Sequence, residues 1–455
     1  MGDDDELAFL PSVELLALLE RGELSSRELL DTYLDRLDRH NKAINAIVTL
    51  DAERARQRAR EADEARAHGE SWGPLHGLPV TVKDVFETDG LRTTAGSPDL
   101  ADYVPDRDAV LVGRLRGAGA VIFGKTNTPT MAADGQTFNP IFGTTNNPWD
   151  LTRTPGGSSG GCGAALAAGL TPLSFGSDIA GSIRIPANFC GVYGHKPSFG
   201  LIPQRGHIPG PPGQRLERDI NVVGPLARDA RDLDLALSVL AGPRGQEELG
   251  WRLTLAPPLD KPLGQYRVAV WLDDPACPVD DTVTERLVAV VEALRAAGAH
   301  VETGARPGFT FAEAFALFQR LLWLPGDPKL THEEWLEADE ARQRCRDGWA
   351  ELFRSFDVVL CPVCSTPPFP HDQRPREQRR YVINGTERPL GDYVAWPGLI
   401  GMAYLPSTST PLGPNRDGLP VGVQVVGPYL ADRRVIDVAE KLGHIIGGYG
   451  RPPGF

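Results

Sequence analysis

Residues 154–165 read Thr154-Pro155-Gly156-Gly157-Ser158-Ser159-Gly160-Gly161-Cys162-Gly163-Ala164-Ala165, a glycine-rich loop that runs into an alanine-rich helix and presents two serines. Glycine lets a backbone approach a ligand or another backbone closely, and alanine favours the helix that follows. Three readings are open. A phosphate cradle needs a Gly-Lys-[Ser/Thr] ending, and no lysine stands here. A nucleophile elbow fits Gly156-x-Ser158-x-Gly160, but Asn147-Pro148-Trp149-Asp150-Leu151-Thr152-Arg153 does not read as the strand that must precede it. The third reading is a plain turn.

Two neighbouring segments bear on the choice. Downstream, Ser177-Asp178-Ile179-Ala180-Gly181-Ser182-Ile183-Arg184-Ile185-Pro186 places Ser182 after two small residues. Backbone N–H groups can crowd around such a serine, as an oxyanion hole requires. Asp178 and Arg184 are spaced to pair beneath the loop and fix its shape. Upstream, Gly77-Leu78-Pro79-Val80-Thr81-Val82-Lys83-Asp84 is a short alternating strand ending in lysine. At a surface Lys83 would extend its head to water. Buried, it would have its pKa lowered and offer a neutral amine as a base.

Around these segments the pattern alternates helix and strand. Pro11–Glu20 is apolar-periodic, and Ser25 with Glu28 forms a capping box ahead of Leu29, Leu30, Tyr33, Leu34 and Leu37. A solvated helix is expected over 51–70. Further on, Asp108–Arg116 reads as a helix leading to a strand over Ala120–Phe123. Arg267–Trp271, His300–Glu302, Asp357–Cys361 and Val421–Val426 read as strands, with a helix after Thr282 that closes at Gly298. Residues 305–355 read as mostly helical and as cover for one edge of a site. This alternation implies an α/β protein with a largely parallel sheet.

Composition narrows the class. The chain has 455 residues, 41% of them hydrophobic, and a net charge of −13, so it can build a sizeable core and would be repelled by nucleic acid or anionic membrane. Fifty glycines and forty prolines make up about a fifth of it, against an ordinary share of about 12%, without the Gly-X-Y period of collagen. No apolar run reaches the roughly 18 residues of a membrane span. The start, Met1-Gly2-Asp3-Asp4-Asp5-Glu6, opposes a signal peptide and reads as a frayed acidic terminus. Six scattered cysteines do not form a disulfide framework, and Cys361-Pro-Val-Cys364 lacks the second pair a zinc site would want. A cytoplasmic location is expected.

Taken together, the three segments resemble the amidase signature family of serine hydrolases. Further parts of that pattern are Gly124-Lys125-Thr126-Asn127-x-Pro129, Phe142-Gly-Thr-Thr-Asn-Asn-Pro-Trp149, Phe189-Cys190-Gly191, Lys196-Pro197-Ser198, Gly224-Pro-Leu-Ala-Arg228 and Gly418-Leu-Pro-Val-Gly-Val-Gln-Val-Val-Gly427. They occur in the family's order over roughly residues 70–430. The resemblance implies one α/β domain over 1–455 with a central mixed sheet flanked by helices. Residues 1–70 would form a helical N-terminal segment, 71–245 the core with the catalytic loops, and 246–455 the part that completes the sheet and covers the site.

The resemblance also implies roles: Ser182 as nucleophile, Ser158 as a bridging serine after a cis peptide bond, and Lys83 as base. The N–H groups of Ile179, Ala180, Gly181 and Ser182 would form the oxyanion hole. Met131, Gln136 and Gly157 are expected to touch substrate, with the Gly206–Gly213 loop nearby and Phe315, Phe318, Leu321, Leu322 and Trp323 either walling an acyl pocket or simply packing the core. No cofactor and no metal are implied. The expected reaction is hydrolysis of an aryl or alkyl amide, with ester or carbamate (urethane) substrates open to the same attack. The expected partner is a small-molecule substrate, not nucleic acid or membrane, for a monomer or homodimer. An amidotransferase subunit releasing ammonia to a partner is the alternative. Three positions bear on the pattern: Ala180 stands where a second glycine is common, Cys162 reads as helix packing, and Ile185 is apolar where the tRNA-dependent amidotransferases carry glutamine.

Overall fold

The computed structural model describes residues 6–323 and 329–455. Most of the acidic start therefore lies outside the described residues. Eleven strands make one large sheet: β1 (Ile47–Leu50), β2 (Pro79–Lys83), β3 (Val121–Thr126), β4 (Leu173–Asp178), β5 (Tyr193–Lys196), β6 (Val222–Ala227), β7 (Arg267–Val270), β8 (His300–Glu302), β9 (Val358–Pro362), β10 (Ser407–Pro414) and β11 (Pro420–Val426). Their spatial order is β1-β3-β2-β4-β6-β5-β10-β11-β9-β7-β8.

The sheet is mixed, as the family resemblance implies, and not largely parallel as the alternation suggested. Parallel pairing is confined to β3-β2-β4 at one end and β9-β7-β8 at the other. An antiparallel centre, β4-β6-β5-β10-β11-β9, joins them. Crossover helices give a readable βαβ texture at both ends. The central strands include polar runs that do not read as strands: Ser407, Thr408, Ser409 and Thr410 are all buried in β10.

Helices cover the sheet. Ser26–Ile44 begins at the expected capping box, with Ser25 Oγ accepting from the Glu28 N–H at 3.1 Å. Its Leu29, Leu30, Tyr33, Leu34 and Leu37 enter the core as the 3.6-residue period dictates. Helices over Phe311–Trp323 and His332–Ser355 occupy the 305–355 segment as expected. A strand covered on both faces has no wet side, and β2 is buried along its whole length. Its polar positions are satisfied inside: Thr81 Oγ1 donates to Ser174 Oγ at 3.0 Å. Among the described residues no helix is long and apolar enough to cross a membrane.

Candidate active site

β2 and β4 lie side by side and parallel, with Thr81 opposite Ser174 and Val82 opposite Phe175. Their C-terminal ends, Lys83 and Asp178, therefore reach the same edge of the sheet, where open α/β sheets place their ligands. Lys83 is fully buried. Its Nζ donates to Ser158 Oγ at 2.7 Å and to Ser177 Oγ at 3.3 Å. Burial pushes its pKa down to about 7, because charging an amine inside a protein forfeits hydration.

Ser158 ends the glycine-rich loop just before the helix Gly160–Ala167, and the Gly157–Ser158 peptide bond is cis. Thr137 Oγ1 pins this loop, donating to Gly156 O at 2.8 Å and accepting from the Gly160 N–H at 3.1 Å. Gly157 has no room for a side chain: a Cβ there would lie 2.7 Å from Asp134 O. No strand runs directly into the loop, since residues 145–153 separate it from the short strand at 143–144, which removes the elbow reading.

The second serine rests on a buried ion pair. Arg184 Nη2 lies 2.8 Å from Asp178 Oδ1, with both side chains fully buried. Burial alone would raise the Asp178 pKa, but Arg184 outweighs it and holds the carboxyl at about 2. The same carboxylate accepts the N–H groups of Gly181 at 2.8 Å and Ile183 at 3.0 Å. It thus folds residues 178–184 around itself. Gly181 sits at φ +100°, and a Cβ there would come within 2.7 Å of Ile185 and Pro397 side chains. Ala180 keeps an ordinary backbone conformation, so its methyl is accommodated without strain.

This geometry corrects one expectation. The Gly181 N–H already serves Asp178, so it is not a free oxyanion donor. The N–H groups of Ile179, Ala180 and Ser182 donate to no turn, loop or side-chain acceptor among the described residues.

Ser158, Ser177 and Ser182 line one cavity of about 200 Å³, together with Gly157, Ile179 and Ala180. Met131 lines it, in a left-handed conformation at φ 52°. Leu322 and Trp323 form part of its wall, whereas Phe318 and Leu321 are core. Gln136 does not line it, a second correction. Its side chain is 1% exposed; Nε2 donates to Asp372 O at 2.8 Å and Oε1 accepts the Asp372 N–H at 3.0 Å. Gln136 is a strut between two segments, not a substrate contact.

The cavity also includes Ser177, Tyr393, Arg218 and Arg376, which carried no expected role, and His207 of the loop expected nearby. Burial pushes the His207 ring down to about 3, so it is neutral and not a cation in the site. Cys162 packs as expected, buried with Sγ 3.0 Å from Thr126 Oγ1. Cys361 and Cys364 are buried free thiols, and no group of three or more His, Cys, Asp or Glu among the described residues could hold a metal.

The amidase family model matches residues 28–323 and 323–436. The chain belongs to the amidase family. Within that family it is 32% identical to an acylamidase of Rhodococcus erythropolis over 474 residues, covering 96% of each chain. It is likewise 32% identical to a glutamyl-tRNA(Gln) amidotransferase subunit of Heliobacterium modesticaldum over 497 residues, covering 97% of each. A bacterial aryl acylamidase of the amidase signature enzymes superposes with a TM-score of 0.84 at 25% identity, covering 96% of each chain.

Proposed function

We propose that this amidase hydrolyses the carbon–nitrogen bond of small amides through an acyl-enzyme on Ser182. The observation that carries the reading is the 2.7 Å contact from a buried Lys83 amine to Ser158 Oγ, at a cavity that Ser182 also lines. Ser182 Oγ attacks the carbonyl carbon and passes its proton to Ser158, whose own proton goes to neutral Lys83. The oxyanion takes the free N–H groups of Ile179, Ala180 and Ser182, each such donor being worth roughly 10²–10³ in rate. Collapse breaks the C–N bond, and the leaving amine takes the proton back through Ser158. Water then cleaves the acyl-enzyme along the same relay. Esters and carbamates present the same carbonyl to the same nucleophile.

The test is a hydrolysis panel of anilides, aliphatic amides, esters and carbamates against wild type and Ser182→Ala, with a fluorophosphonate probe reading Ser182 directly. Loss of both turnover and labelling in a folded Ser182→Ala supports the reading; an unchanged rate refutes it.

A second reading has support in the likeness to amidotransferase subunits over nearly the whole chain. It would make the protein an ammonia-releasing subunit with glutaminase activity only in a complex. Ile185, fully buried where that branch carries glutamine, weighs against it, and stable co-purification with further subunits would favour it. For the enzyme acting alone, a monomer or homodimer in the cytoplasm is the state we propose; its six free, buried thiols suit a reducing compartment.

A further inference from the structure

The mouth of the cavity carries more positive charge than the rest of the molecule would suggest. The chain has a net charge of −13, and most arginines near the site are matched to carboxylates. Arg379 Nη1 lies 2.7 Å from Asp134, Arg374 Nη2 lies 2.7 Å from Asp372, and Arg342 Nη1 lies 2.6 Å from Asp219. Arg218 and Arg376 line the cavity, and neither pairs with a carboxylate among the described residues. Among the described residues Asp134 is the one acidic side chain lining the cavity, and Arg379 already pairs with it.

Both side chains are exposed; the Arg376 head is held by a ring and the Arg218 backbone by a hydrogen bond. The Arg376 guanidinium lies over the Trp323 ring, 5.5 Å from its centroid, a cation–π contact that restrains it at the rim. The Arg218 carbonyl accepts from Gln204 Nε2 at 3.1 Å, and its neighbour Asp219 is tied to Arg342. Tyr393 lines the same cavity. It is 3% exposed, and its hydroxyl makes no hydrogen bond among the described residues. An unpartnered donor on a nearly buried side chain is an open position for an acceptor. Ile179, Ala180 and Leu322 add apolar lining.

We infer that the substrate of this site carries a carboxylate, bound at the mouth by Arg218 and Arg376 with the Tyr393 hydroxyl as a further donor. The inference rests on the amidase reading above and narrows its substrate class. Guanidinium forks match carboxylates in geometry as well as charge. A cationic amide would be repelled, and a neutral one would gain nothing from the pair. The carboxylate can belong to the acyl part, as in a dicarboxylic acid monoamide, or to the amine part, as in an N-acylated amino acid.

The experiment compares matched pairs. Glutaric acid mono-4-nitroanilide and its methyl ester probe the acyl side; N-butyryl-4-aminobenzoate and the corresponding primary amide probe the amine side. Each is measured with wild type, Arg218→Gln, Arg376→Gln and the double variant. In at least one pair the charged member should exceed its neutral partner about tenfold or more in kcat/KM, mainly through KM, a factor equivalent to about 1.4 kcal/mol. The double variant should bring that ratio to about one, and added salt should erode it in wild type. The pair that shows the preference identifies which part carries the charge. Equal or better turnover of both neutral members, or a preference that survives the double substitution, overturns the inference and leaves the amidase reading standing. Failure of a fluorophosphonate to label Ser182, with none of the four substrates hydrolysed, overturns both.

Discussion

Lys83 Nζ lies 2.7 Å from Ser158 Oγ, and no carboxylate ion-pairs with this amine among the described residues. In a fully buried lysine that bonds only hydroxyls, the cost of burial outweighs the favourable field of Asp178, and the pKa falls to about 7. A base must be unprotonated to accept a proton. Values of kcat/KM should therefore fall about tenfold per pH unit below about 7 and level off above it. Lys83→Arg, which stays charged throughout, should abolish both activity and the inflection; a profile flat from pH 5 to 8 in wild type would remove Lys83 as the base.

The same shift has a consequence for stability with a fixed sign. The folded pKa of about 7 lies below the ordinary 10.5, so between those values the unfolded chain binds the extra proton. Stability then rises with pH across that window. Lys83→Met should flatten this part of the dependence, read as the difference in Tm from wild type at pH 6 and pH 9. The variant should gain most at pH 6.

The two serines should separate in magnitude. Removing the nucleophile of a linked catalytic unit costs on the order of 10⁶ in kcat, and Ser182→Ala should reach the background rate. Ser158→Ala keeps the nucleophile and loses the proton relay, worth about 10²–10⁴. Labelling by a fluorophosphonate should vanish in the first variant and slow in the second. Equal residual rates would deny Ser158 its intermediate position.

Beneath the oxyanion loop, Arg184 and Asp178 are both fully buried, and Gln424 Oε1 accepts from Arg184 Nη1 at 3.0 Å. Arg184→Met strands a buried carboxylate, a defect of about 3–5 kcal/mol. Chemical denaturation should show that loss. Asp178→Asn strands the buried Arg184 cation in the same way, and should also depress kcat because the Gly181 and Ile183 amides lose their charged acceptor.

Some of this architecture could be read from residue order alone, and the division is physical. A capping box is local, so Ser25 and Glu28 announce their helix by spacing. The catalytic segments are dense in small residues for a steric reason that sequence displays: Gly157 and Gly181 have no space for a Cβ. The antiparallel centre was hidden because its strands carry polar side chains paired across the sheet. Thr408 Oγ1 meets His195 Nδ1, 213 residues away, at 2.9 Å, and Ser407 Oγ donates to Gln424 Oε1 on the adjacent strand at 2.9 Å. Lys83 was ambiguous for the same reason: whether a lysine at a strand end meets water depends on layers that the strand itself does not encode.

Gln136 shows how that ambiguity yields a separate prediction. The family resemblance implied contact with substrate, yet its amide spans to Asp372, 236 residues away. It joins the segment bearing Met131 and Asp134 to the one bearing Arg376, and both segments wall the cavity. Gln136→Ala leaves the Asp372 carbonyl and N–H without their partner, at about 1–3 kcal/mol if water cannot replace it. The cavity wall should loosen while the Lys83–Ser158 contact, anchored on β2 and the helix after residue 159, stays in place. KM should therefore rise severalfold for every substrate, with kcat falling little. A selective loss on one substrate, with stability unchanged, would instead make Gln136 a direct substrate contact.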